Sequence, residues 1–429
     1  MTSSPRRRCL GALAALLMAA ATASCSSPAA DTTATVTFWG WAPGYAEAAA
    51  AYTADHPKVR IEFKATDPGS KGGYDAMLQA VADGKGPCLV QVGYESLPAF
   101  VAAKAVTPVD TSTARVLYPE SAWSQVTVDG DAYGMPVDVG PMALFYRRDV
   151  YQRYGMRPQS TWEEFARDAD RLHRVAPRTT LTAFTPDDPW WFTALAAQAG
   201  AQWFGTQAGK WQVDITGAPT TTMTQYWQGL VDKGLVAVRQ GFSPELYKGL
   251  GDGTIAAFPA PVWYAALLEQ NAPGASGAWA VAPLPGWGKG NDPAVFDGGS
   301  ATAVARGCPK PEAAAEFAAW LGTDRKALDI LVEKAKIYPA AVATDTLPAL
   351  NAPSPYFGNQ VIGDVFRQLG ASGSSRWRWG PSMAATSKSL TAELPKALKN
   401  RTPMTGALRT VQDATVEAMR GQGVALAGG

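Results

Sequence analysis

Histidine is scarce in this chain of 429 residues, which holds only His56 and His173. That argues against multi-histidine metal sites and histidine-based catalytic triads. Neither sign of charge dominates: Lys and Arg number 38, Asp and Glu 37, and charged residues make up only 17% of the chain. Three of the arginines fall in the first 24 residues, and without them 35 basic residues face 37 acidic ones, a net charge of −2. Such a balance lacks the electrostatic footprint of a protein that binds nucleic acid or an anionic membrane surface. Long apolar runs are also missing. The one candidate, residues 10–23, has 14 residues and is too short to span a bilayer. There is no short internal repeat, no heptad pattern and no glycine-rich phosphate loop. What the chain does have is length for two ordinary domains, 47% hydrophobic residues for their cores, and 15 tryptophans. Trp at that density favours a protein that holds something with flat apolar faces.

The N-terminus reads as an address. Arg6-Arg7-Arg8 precedes the apolar run, which ends in Ala21-Thr22-Ala23-Ser24-Cys25. Small residues followed by Cys resemble a bacterial lipoprotein cleavage site, although Thr22 stands where Leu is usual. On that reading residues 1–24 are a signal peptide, Cys25 is lipidated, and residues 25–32 are a tether. The basic segment fits either a plain secretory signal or a twin-arginine one.

Four cysteines sharpen the compartment. Cys9 leaves with the signal and Cys25 is the anchor, which leaves Cys88 and Cys308. In an exported protein disulfides persist. The two pair with each other or remain as buried thiols. The reading favours the bridge, which requires the chain to return to its first domain after residue 300.

Strand and helix patterns alternate. Residues 36–38, 59–63 and 89–92 read as strands, with helical segments at 47–55, 74–82 and 97–103 between and after them. That order implies a largely parallel sheet covered on both faces. A second series starts with a strand near 142–146. Ser160-Thr161-Trp162-Glu163 reads as a capping box for a helix to about residue 175. Strands follow at 181–184, 254–258, 279–282 and 300–305, and the last third is mostly helical. In open α/β sheets ligands bind beyond the carboxyl ends of strands. Aromatic and acidic residues recur there: Trp39 and Trp41, Tyr94 and Glu95, Asp187 to Trp191, and Trp263. Indole faces stack on the C–H faces of a sugar ring, and carboxylates accept its hydroxyl hydrogens.

Six segments carry a more specific likeness: residues 37–41, 86–93, 133–136, 144–149, 161–165 and 297–300. In their order and spacing the chain resembles a family 1 extracellular solute-binding protein, the sugar-binding lipoprotein of an ABC importer, of actinobacterial type. The resemblance covers nearly the whole mature chain. It implies an α/β, two-lobed periplasmic-binding-protein-like fold of type II, with a ligand cleft between lobes. Lobe 1 would comprise 33–138 plus 299–345, and lobe 2 139–298 plus 346–429. Residues 138–141 and 297–300 would be the crossings. The family usually has Asp where Cys88 stands and a strand leading into a helix at Cys308; the twin departure supports the disulfide.

The implied ligand site takes Trp41 in preference to Trp39, then Tyr94, Glu95, Asp138, Trp190, Trp191, Trp263, Gly299, Trp377 and Trp379, with at least one of each adjacent Trp pair facing the cleft. Tyr338-Pro339 is a lesser candidate. No metal, cofactor or catalytic residue is implied. The expected partners are a sugar, ABC-transporter permease subunits and a lipid anchor through Cys25, with no nucleic acid, for a monomer on the outer face of the cell membrane. A binding protein for another solute, or an exported glycoside hydrolase using Glu95 and Asp138, is the alternative.

Overall fold

A computed structural model describes residues 33–110, 114–288, 294–342, 347–374 and 376–427. The leader, Cys25 and the tether lie outside the described residues. The strands that organise the first half are β1 (Ala34–Gly40), β2 (Val59–Ala65), β3 (Leu89–Gly93) and β4 (Met135–Arg147). The second half adds β5 (Ala183–Phe184), β6 (Ala237–Val238), β7 (Ala257–Pro261), β8 (Trp279–Pro283), β9 (Phe296–Val304) and β10 (Tyr338–Pro339).

Two lobes share one long curled sheet. In the first, β2, β1 and β3 are parallel, β9 runs antiparallel to β3, and β4 antiparallel to β9. In the second, β7 and β8 flank β4 and both oppose it, while β5 and β6 pair in parallel and the Thr180–Ile255 bridge joins them to the strand leading into β7. In direction most strands of each lobe are therefore parallel: β9 and β10 run against the rest in the first, and β4 does so in the second. β4 and β9 are the crossing strands. After β10, which pairs with β4 at Val139 and Asp138, the chain crosses again, because helix Ile362–Ala371 packs on β8 and β4.

The crossing strand β4 is longer than the sequence suggests, starting at Met135 and not near 142. Its two prolines, Pro136 and Pro141, pair with Ala301 and Phe296, at the edges of register shifts in β9. At such places a missing N–H costs the ladder little. The first shift, between Phe296 and Gly299, takes in Gly298 and Gly299, with φ of 80° and 107°, and the second lies between Ser300 and Ala301. A Cβ on Gly299 would come within 2.6 Å of the Tyr94 ring and 2.8 Å of the Asp138 carbonyl oxygen. Only glycine permits that backbone and that approach.

Local signals explain most helices. Thr161 caps Trp162–Val175 by accepting from the Glu164 N–H, and Glu164 reaches back to the Ser160 N–H. The box is thus Thr161 with Glu164, one residue later than the expected Ser160 with Glu163. Cys88 and Cys308 form a disulfide with Cα atoms 4.4 Å apart. They sit just outside the β3–β9 pair, where the Ala305 N–H donates to the Cys88 carbonyl.

Much of the tryptophan is structural. Seven of the 15 are buried, among them Trp162, Trp191, Trp203, Trp227 and Trp279 with almost no exposure. Trp162, Trp191 and Trp227 interlock edge to face in the core of the second lobe. Three indole N–H groups find internal acceptors: Gln198 for Trp162, the Pro259 carbonyl for Trp191, and Thr220 for Trp203.

Candidate functional site

A cleft of about 370 Å³ opens between the lobes where strands end. Trp41 follows β1, Glu95 follows β3, Trp190 follows β5 and Trp263 follows β7, so carboxyl ends of strands from both lobes meet at it. Trp379, Asp138 and Gly299 also line it.

The wall from the first lobe is tightly braced. Gln91, buried in β3, accepts from the Trp41 and Ala42 N–H groups at 2.9 and 3.1 Å and fixes the loop after β1. The Trp41 ring meets Tyr74 edge to face, with centroids 5.5 Å apart. The Tyr74 hydroxyl accepts from the Gly93 N–H and donates to Glu95 Oε1, both at 2.8 Å, and Ser96 Oγ donates to the same oxygen. Burial raises the Glu95 pKa, a trend its hydrogen bonds oppose.

The floor is the crossing itself. Asp138 Oδ1 accepts from Ser300 N at 3.0 Å and Ser300 Oγ at 2.6 Å, which ties β4 to β9. The Tyr94 hydroxyl donates to the Asp138 carbonyl. Burial pushes the Asp138 carboxyl up to about 6, with the Glu95 charge adding to it. Asp297 is only 4% exposed and lines the cleft, yet no donor among the described residues reaches its carboxylate. Burial, then the charges of Asp188 and Glu95, holds its pKa well above the ordinary value.

The wall from the second lobe is aromatic. Asp188 caps helix Pro189–Gln198 by accepting from the Trp191 N–H, which places Trp190 at the helix start facing the cleft. Trp190 meets Trp379 edge to face at 6.1 Å. Trp263 donates its indole N–H to the Asp297 carbonyl at 2.9 Å. Trp379 donates to Gln125 of the first lobe at 2.8 Å.

The structure thus brings Trp41, Glu95, Asp138, Trp190, Trp263, Gly299 and Trp379 to one cleft. Three expected residues lie elsewhere. Trp191 is in the core of the second lobe, because its neighbour on the same helix turn takes the cleft side. Trp377 is buried against Trp203 behind Trp379. Tyr94 lies beneath Gly299 and props the crossing. Sequence reasoning passed over Tyr74, whose place in a helical pattern reads as core, and Asp297, noticed only as part of a crossing.

Chemically the cleft offers indole faces and carboxylate oxygens, and no Lys, Arg or His is among the described residues that line it. Among the described residues no group of three or more His, Cys, Asp or Glu could hold a metal ion. The carboxylates are left as hydrogen-bond acceptors.

The sequence pattern of bacterial extracellular solute-binding proteins matches residues 40–327. The chain belongs to this family. Its members act outside the cytoplasm as binding proteins. The solute-binding protein is 24% identical over 266 residues to an arabinooligosaccharide-binding protein of Halalkalibacterium halodurans, an alignment covering 59% of this chain and 58% of the relative. The chain thus spans somewhat more than half the length of that relative, and 47% of a Bacillus subtilis protein of the same name, at 26% identity and 47% of its own length. A lactose-binding protein of Rhizobium radiobacter is matched more fully, at 24% identity over 88% of this chain and 91% of the relative. Among solved structures, the galacto-N-biose/lacto-N-biose I-binding protein of an ABC transporter from Bifidobacterium longum superposes with a TM-score of 0.82, at 22% identity, over 92% of this chain and 99% of that one. A binding protein from B. animalis subsp. lactis in complex with β-1,6-galactobiose gives 0.77 at 24% identity, over 92% and 99% of the two chains. These likenesses establish the type II fold of the solute-binding protein.

The carboxylates give the cleft a pH signature. The folded-state pKa of Asp138 is about 6, against an ordinary 3.8. Between those values the folded chain holds a proton that the unfolded chain has released. Its contribution to stability is full below the lower value and is lost as pH rises through the upper one. An ionised carboxylate is the stronger acceptor, so affinity for a ligand that donates a hydroxyl to Asp138 would run the other way. On going from pH 7.5 to 5, ligand-free melting temperature is expected to rise through this group while ligand affinity falls several-fold. Asp138→Asn is expected to flatten both slopes, as read by scanning calorimetry and titration calorimetry.

Proposed function

We propose that this solute-binding protein captures a sugar, mono- or oligosaccharide, by closure of its lobes and delivers it unaltered to an ABC-transporter permease. The observation that carries the reading is the cleft itself: indoles from both lobes face the carboxylates of Glu95, Asp138 and Asp297, and no Lys, Arg or His is among the described residues that line it. A sugar offers C–H faces to the one and O–H donors to the other. Relatives named for binding arabinooligosaccharide, lactose and lacto-N-biose support the same class. A division at 138 and 299 would put Asp138 and Gly299 at the boundary, and a ligand that touches both walls would favour the closed state; the third expected boundary, at 345, lies outside the described residues. Lipidation of Cys25 would hold the protein, as a monomer, on the outer face of the membrane near its permease.

Titration calorimetry tests this with arabinose, galactose, lactose, β-1,6-galactobiose and short arabinooligosaccharides, alongside maltose and xylobiose. Sub-millimolar binding to at least one, with no cleavage of the sugar, is the expected outcome. Absence of binding to any carbohydrate discards the sugar reading, and hydrolysis of a bound one makes the protein an enzyme.

A further inference from the structure

Phe242 is the one aromatic among the exposed large hydrophobic side chains of the described residues, at 49% exposure. It also has φ of 57°, in the left-handed region that favours glycine and is unfavourable for a bulky side chain. Both neighbours are fastened. The Gly241 N–H donates to Asp187 Oδ1 at 2.8 Å, and Ser243 caps helix Pro244–Asp252 through the Leu246 N–H. The loop therefore holds an apolar ring in water and on an unfavourable backbone, and burial does not repay either cost.

The ring's place gives it a use. Its centroid is 6.2 Å from that of Trp263, with 21° between the planes. At that distance near-parallel rings are offset and overlap little, so Phe242 borders the indole at the margin of the cleft. Trp263 lines the cleft. Asp187, which fastens the Phe242 loop, belongs to the same turn that presents Trp190. Trp190 and the exposed ring are thus held by one pair of loops, and Trp263 stands beside them on a third, after β7.

We propose that Phe242 is an outer subsite that stacks the second sugar ring of an oligosaccharide whose first ring lies on Trp263. The inference rests on the sugar reading above and narrows it to ligands longer than a monosaccharide. Exposed Phe242 could instead touch a protein partner, and the test separates the two.

Wild type, Phe242→Ala and Phe242→Tyr are titrated calorimetrically with galactose against lactose and β-1,6-galactobiose, and with arabinose against arabinobiose and arabinotriose. Wild type is expected to prefer the longer member of its series. Phe242→Ala should lose about tenfold in affinity for that member and nothing for the monosaccharide. Phe242→Tyr should restore it, and the melting temperature of the Ala variant should equal or exceed that of wild type. Three results overturn the inference while leaving the sugar reading intact: equal affinity of wild type and Phe242→Ala for the longer sugar, as a partner-docking role would give; an equal loss for both lengths; or a wild-type preference for the monosaccharide. Failure of every saccharide to bind wild type overturns the sugar reading and this inference with it.

Discussion

Replacing Trp263 by Ala is expected to weaken sugar binding by about 100-fold or more. An indole face covered by a ligand ring removes on the order of 100 Å² of apolar surface from water, worth about 2.5 kcal/mol, and ring stacking adds roughly 0.5–1.5 kcal/mol. Together these correspond to at least two decades in affinity. The indole has a second role, since its N–H holds the Asp297 carbonyl beside the Gly298 turn. Trp263→Phe keeps a ring and loses that bond, so an intermediate loss of about tenfold is expected. Trp263 is only partly buried, and both variants should melt within a few degrees of wild type. Wild-type affinity in Trp263→Ala would remove this residue from the binding wall.

The second large effect concerns stability and should leave the ligand almost untouched. The Cys88–Cys308 bridge closes a separation of 220 residues. Chain-entropy arguments give such a bridge roughly 3–5 kcal/mol. For a lobe of roughly 150 residues that is a drop in melting temperature of roughly 10 °C in the Cys88→Ala/Cys308→Ala variant, and the same drop in wild type under reductant. The bridge lies at the start of β3, and the cleft at its other end, after Gly93. Affinity measured well below the melting transition should therefore stay within about twofold of wild type. A large loss of affinity with little loss of stability would mean that the bridge acts on the cleft.

The parts legible in the sequence were those with a local cause. β1, β2 and β3 carry strand patterns between helical ones, and their ends fell within a few residues of the observed bounds. The sequence pattern starts β4 only near residue 142, because the register shifts that admit Pro136 and Pro141 to the ladder belong to β9, distant in sequence. β5 and β6 are two residues each, and tertiary pairing alone defines them. The site divides the same way. Trp190 and Trp191 are adjacent on a helix, roughly 100° apart around its axis. Which one faces the cleft depends on how the helix is docked, and Asp188 and the core partners of Trp191 decide that. Trp377 and Trp379 share one side of an extended segment, and only the depth of each separates the ring against Trp203 from the ring that reaches Gln125. Phe242 had one faint signal, a bulky residue directly after a glycine, and its exposure and its angle emerge only in three dimensions.

Asp138 stands where β4, β9 and β10 meet. A point on the fulcrum of a lever travels least. On the sugar reading proposed above, a hydroxyl held there would keep its grip whether the lobes were apart or together. Trp263, tied by its indole to the Asp297 carbonyl on the neighbouring crossing strand, would travel little as well. The pair would serve first capture, and the preference for one posture would fall to side chains farther from the pivot.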